Sequence, residues 1–138
     1  MALFKRGESM SKLFNNKGQS MVEFTLILPI FLILLIAMFD TSRVLNTKFI
    51  LENAARNAAR IGSVSNSDVD VISEIDSGTS SLDDLNLSYT IVPQEADRTN
   101  GDNIVITINY SVDINTPLIS NIIGDSVVVS GKSAMRIE

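Results

Sequence analysis

Between Phe24 and Phe39 the chain reads FTLILPIFLILLIAMF, sixteen residues without a charge, and counting back to Gln19 gives twenty-one interrupted only by Glu23. A helix rises about 1.5 Å per residue, so this run is long enough to cross roughly 30 Å of hydrocarbon. A buried helix of a water-soluble protein shows a polar face somewhere within four turns, and this stretch shows none. The sequence therefore predicts a transmembrane segment at about 22–39, with the lipid bilayer as its first partner.

The flanks set a direction. Lys5, Arg6, Lys12 and Lys17 stand against Glu8 alone in the leader, whereas Asp40, Arg43, Lys48 and Glu52 on the far side cancel. The positive-inside rule then keeps the N-terminus in the cytoplasm and sends everything after residue 40 across the membrane, giving a single-pass protein. Ile36-Ala37-Met38-Phe39 lacks the small-residue pattern of a secretory cleavage site, so the apolar segment is expected to stay attached.

Several function classes drop out on composition. Residues 19–138 carry seven basic and fifteen acidic side chains, a balance that repels phosphate backbones, so no nucleic-acid partner is expected. There is no Cys and no His, which removes thiol nucleophiles, thiolate metal sites, the usual proton shuttle and the commonest metal ligand. No nucleophile elbow, phosphate loop or metal-ligand spacing is present either. The chain is expected not to be an enzyme, with no catalytic residue, cofactor, metal or small-molecule substrate. Asp97, Asn100 and Asp102 lack the ligand order of a calcium loop and read as an ordinary turn.

One carboxylate asks for a reason. Glu23 lies one turn into the membrane helix, where a charge is costly unless it stays near the interface. It could simply favour the positive end of the helix dipole. Its surroundings say more: Lys17-Gly18-Gln19-Ser20-Met21-Val22-Glu23-Phe24 places a basic residue, a glycine, four residues, a glutamate and an aromatic directly before the apolar run. This arrangement resembles the leader signal of type IV pilin-like proteins. The resemblance implies that a prepilin peptidase cuts between Gly18 and Gln19 on the cytoplasmic face and leaves Glu23 as the fifth residue of the mature chain. A glycine admits close approach of a protease cleft. The new ammonium at Gln19 and the Glu23 carboxylate can compensate each other within or between subunits. Pro29 forfeits a backbone hydrogen bond and predicts a kink near residues 25–29.

Helical spacing continues through Val44, Leu51, Ala54, Ala55, Ala58 and Ile61 until Gly62, read as a C-cap, so one helix is expected over about residues 20–61. Within it Asn53-Ala54-Ala55-Arg56 repeats as Asn57-Ala58-Ala59-Arg60. The small residues Ala54, Ala55, Ala58 and Ala59 invite close packing against a sheet or against a neighbouring subunit, and Glu52 is spaced to pair with Arg56. Beyond Gly62 the spacing predicts a short helix at Val69–Ile75, a loop at Asp76–Ser81, and then a period of two. Leu87, Tyr89 and Ile91 mark a first strand, Ile104 to Ile114 a second, and Val127, Val129, Met135 and Ile137 a third, with Asn100-Gly101-Asp102 closing the first two into a hairpin. Thr116-Pro117 to Gly124 reads as one more short helix.

The expected fold is α+β and pilin-like: a long N-terminal membrane-spanning helix kinked at Pro29 and packed on a small antiparallel sheet. Three regions follow: a basic cytoplasmic leader (1–18), the N-terminal helix (19–62) and an extracytoplasmic α+β domain (63–138). Taken together, the Gln-Ser-Met-Val-Glu-Phe start, Leu28-Pro29, the Asn-Ala-Ala-Arg repeat and the Ser133-Ala134-Met135-Arg136-Ile137-Glu138 ending resemble the TadE/TadG-type minor pseudopilins of tight-adherence (Tad/Flp) pilus systems. That resemblance implies a place in the bacterial cytoplasmic (inner) membrane, processing by prepilin peptidase, a structural or priming role in pilus assembly, and other pilin-like subunits and the assembly platform as partners. Two readings stand beside it: a pseudopilin of a type II secretion or competence machine, and a bitopic signal-anchor protein whose leader is never cut.

Overall fold

Strong helix formers fill the front half of the chain, and no glycine separates Gly18 from Gly62. The result is one helix, α1, over Gly7–Ser65, 59 residues with Pro29 inside it. The computed structural model describes residues 7–114, 120–121 and 124–138, with side chains described from Gly18 onward. It divides into two compact units, Met1–Met38 and Phe39–Glu138.

In the first unit, every described residue from Gly18 to Leu34 is exposed within the protein itself. Phe24, Leu26, Ile30 and Phe31 all stand open, and the best window of this helix has a mean hydropathy of 2.6 with no share of it buried. Side chains so apolar and so uncovered need lipid or another apolar surface around them. The helix fits a membrane-anchored protein.

The second unit is the α+β body. It contains the rest of α1, a second helix α2 (Asp68–Gly78), and three strands, β1 (Leu87–Val92), β2 (Asn103–Asp113) and β3 (Ser126–Arg136), with single 3-10 turns at Asp84–Asn86 and Glu95–Asp97. The strands form one antiparallel sheet in the order β1-β2-β3. The register sets Tyr89 opposite Ile108 and Ile108 opposite Gly131. Because side chains alternate faces, Leu87, Ile91, Ile104, Ile106, Ile108, Val112 and Val129 share one side. This face meets Leu51 and the four alanines of α1 together with Val71 and Ile75 of α2 in one core. Ser88, Thr90, Thr107, Asn109 and Lys132 occupy the other face, as expected for a sheet covered on one side.

Glycines let the layers close. A Cβ on Gly131 of β3 would run into the backbone carbon of Leu51 and lie 2.7 Å from the Glu52 nitrogen, so strand backbone runs directly against helix backbone there. A Cβ on Gly62 would meet Ile104 at 2.6 Å and Val71 at 2.8 Å, and one on Gly78 would meet the Ala54 Cβ at 2.9 Å.

These contacts correct several expectations. Gly62 does not end the first helix: α1 runs on to Ser65, and Asn66, with φ of 52°, takes the left-handed position after it. Gly62 is needed inside the helix because Ile104 and Val71 fill the space where its side chain would be. The helix therefore ends three residues later than Gly62. The loop expected at Asp76–Ser81 begins as helix, since α2 reaches Gly78 and Thr79 is buried with its hydroxyl donating to the Ile75 carbonyl at 2.8 Å. Asn100-Gly101 does not make a tight hairpin. It forms a turn, Asp102 N–H donating to the Thr99 carbonyl at 3.1 Å with Gly101 at φ 96°, at the far end of a ten-residue connection between β1 and β2. That turn docks on the chain end instead, Gly101 N–H to Ile137 O at 3.0 Å and Ile137 N–H to Asp102 O at 2.8 Å. The Asp102 carboxylate accepts from the Thr99 amide at 3.2 Å and from its hydroxyl, so it serves the turn. Glu52 pairs with Lys48 at 3.1 Å rather than with Arg56. Most of the helix expected at Thr116–Gly124 lies outside the described residues; Ser120 and Asn121 are helical, and Gly124 N–H donates to Ser120 O at 2.9 Å.

The connection before β2 is pinned by Arg98. Its fully buried side chain pairs with Asp68 at the start of α2 and donates through Nε to the Pro93 carbonyl at 3.1 Å, while Glu95 accepts from the Asp68 amide at 3.0 Å. Two carboxylates at the first turn of α2 suit its positive end.

Candidate functional site

Gly18, Gln19, Glu23 and Phe24 lie in sequence on one helix, so their spacing in space is set by helical geometry. Gln19 and Glu23 are four residues apart and fall on one side, about one turn of ~5.4 Å from each other. All four are exposed, and nothing lies within 4 Å of where a Gly18 side chain would be. Glu23 takes part in no salt bridge among the described residues.

Two features loosen the helix just beyond. Pro29 has no N–H to offer the Thr25 carbonyl one turn back. The Thr25 hydroxyl donates to the Met21 carbonyl at 2.8 Å, a bond of the kind that bends helices slightly. The helical assignment itself is unbroken across Pro29.

The alanine repeat resolves into a core element. Ala54, Ala55, Ala58 and Ala59 are buried to 2%, 0%, 0% and 0% exposure within this chain, in the cluster that joins α1 to α2 and the sheet. Arg56 and Arg60 of the same repeat are exposed. The tetrapeptide thus places two alanines inward and an arginine outward on each turn.

Lys48 and Gly131 were harder to foresee. Lys48 donates to the Ser130 carbonyl of β3 while it holds Glu52, which ties strand to helix one residue from the Gly131 contact. An isolated glycine in a strand is the signal that could have found it, because such a glycine often marks close approach of another backbone.

Residues 18–60 match the family of TadE-like proteins. Over this segment the chain is TadE-like. The match begins at Gly18 and ends at Arg60, the second arginine of the alanine repeat, so it takes in Gln19, Glu23, Phe24, Pro29, Lys48 and the four alanines. It covers under half of the chain, so the likeness is to TadE-like proteins over this segment. No curated protein and no solved structure matches the sequence.

Proposed function

We propose that this TadE-like chain is a minor pilin-like (pseudopilin) subunit of Tad pilus assembly, anchored in the cytoplasmic membrane with its N-terminus inside, and structural rather than catalytic. Prepilin peptidase cuts its leader between Gly18 and Gln19. The observation that carries the reading is the start of the TadE-like segment at Gly18, a glycine with open space around it followed five residues later by an exposed Glu23 and then by an uncovered apolar helix.

The chemistry is economical. Residues on both sides of Gly18 are helical, so the peptidase must first open the helix locally. Glycine is the cheapest ordinary place to do so, since it favours the helix by about 1 kcal/mol less than alanine. Hydrolysis of that peptide bond releases a basic leader and creates an ammonium at Gln19, one turn from Glu23. In a low-dielectric setting the pair is far less costly than either charge alone, and it can form within one chain or between adjacent subunits. The cut therefore turns an uncompensated carboxylate into half of an assembly contact.

The test is the intact mass and N-terminal residue of the full chain extracted from membranes with and without a prepilin peptidase. A peptidase-dependent start at Gln19, abolished in Gly18→Leu, is the expected result. A start at Met1 in both samples would leave an uncleaved signal-anchor protein.

A further inference from the structure

The turn before β2 carries an electrophile and a nucleophile side by side. Thr99, Asn100, Gly101 and Asp102 are all exposed, and Gly101, at φ 96°, has no Cβ to shield its backbone nitrogen. That nitrogen is placed, by sequence, to attack the side-chain amide carbon of Asn100 and close a five-membered succinimide ring. Asparagine is among the chemically labile residues of proteins, and a following glycine removes the main steric barrier to ring closure.

In the folded body the nucleophile is occupied. Gly101 N–H donates to the Ile137 carbonyl at 3.0 Å, and Ile137 N–H donates back to the Asp102 carbonyl at 2.8 Å. The segment that supplies both partners is itself anchored: Ile137 is buried in the core, and Glu138 N–H donates to the Ser63 carbonyl at 3.2 Å. Arg136 covers the turn from one side, with Nη2 3.4 Å from where a Gly101 Cβ would be. The bonds internal to the turn are made by Thr99 and Asp102. Residues 136–138 thus act as a clasp over Gly101, and the reaction cannot start until the Gly101 N–H has left the Ile137 carbonyl.

We propose that Asn100 is a self-modification site, converted to aspartate or isoaspartate at a rate set by how often the clasp of residues 136–138 opens. The Gly101 nitrogen gives its proton to hydroxide and bonds to Asn100 Cγ, the Cγ–Nδ2 bond breaks, and the amide leaves as ammonia. Water then opens the ring at either carbonyl. Nothing is oxidised or reduced, and water is the only reagent consumed. Ring opening to isoaspartate adds a methylene to the main chain, so the Gly101 N–H and the Asp102 carbonyl no longer both face Ile137, and the clasp stays open. Two backbone hydrogen bonds and a buried Ile137 make the open state of the unmodified protein a minority by at least about tenfold. The inference does not rest on membrane anchoring or on the cut at Gly18.

The test follows the full chain in detergent through incubation in mildly alkaline buffer, with mass spectrometry of the peptide that contains Asn100. A short peptide spanning Arg98 to Asn103 serves as the unclasped reference. The expected result is the mass gain of amide exchanged for acid at Asn100, at least about tenfold slower in the protein than in the peptide, and absent in Asn100→Gln, where the ring would need an extra member. Ile137→Pro keeps the carbonyl and an apolar side chain but removes the N–H that binds Asp102, and is expected to bring the rate towards that of the peptide. Ile137→Ser, which empties the buried site, does the same. Circular dichroism shows whether each variant keeps its fold, and hydrogen exchange at the Gly101 amide of the parent reads the clasp without any substitution. Conversion of the parent as fast as the peptide, an unprotected Gly101 amide, or folded Ile137 variants no faster than the parent overturns the proposal.

Discussion

Glu23 shows how one residue can carry a role that its surroundings do not explain. It lies exposed in the first turns of an apolar helix, where removing the carboxylate lowers the cost of insertion rather than raising it. Glu23→Ala is therefore expected to insert and to be cut at Gly18 as the parent is. It loses the partner of the new ammonium, so the amount of cut protein recovered with pilus components falls. Immunoblots of the membrane and pilus-associated fractions read both effects, and normal recovery would remove Glu23 from assembly. The spacing of Gly18 and Glu23 was legible in the sequence because the signal is local. Gly62 was misread for the complementary reason: a glycine after a helical run fits a cap as well as a packing gap, and only Ile104, 42 residues away in sequence, decides between them.

Elements meet here through absent side chains. β3 reaches the α1 backbone at Gly131, and α2 reaches it at Gly78 against Ala54. Gly131→Ala forces a methyl into the Leu51 backbone, and because backbone cannot swing aside as a side chain does, an overpacking cost of about 1–3 kcal/mol is expected. For a body of this size each kcal/mol lowers the melting temperature by about 4–8 °C, measurable by circular dichroism of the detergent-solubilised chain. Strand periodicity was legible because Ile104, Ile106, Ile108 and Val112 alternate strictly. The connection between β1 and β2 was not. Its turn chemistry at Asn100-Gly101 is real, but the turn is held by Ile137 and the loop by Arg98, and pairings between residues 30 or more positions apart leave no mark in a local pattern.

At the scale of the molecule, the two units have separate needs. The apolar segment needs lipid, whereas the body from Phe39 to Glu138 has its own core of Leu51, the alanines, Val71, Ile75 and the sheet residues. The buried members of that core lie between Leu51 and Ile137, all of them past Gly18. The cut and uncut chains are therefore expected to show superimposable thermal transitions for the body, and a shift of several degrees would mean that the leader is part of the fold. The α+β architecture with its long helix was legible because each element announces its own period. The antiparallel placement of α2 along α1 was not, since it follows from glycine contacts that no period encodes.

The core also has an order in time. Leu51 and the alanines of α1 are synthesised first, α2 can cover part of that face soon after, and the sheet that covers the rest is finished only when β3 and Ile137 have been made. For more than 70 residues of elongation, from Leu51 to β3 at Ser126, a helix face built for contact has only part of its cover. The alanine face is thus only partly covered until β3 is made, and that interval is when it is most open to the wrong neighbour.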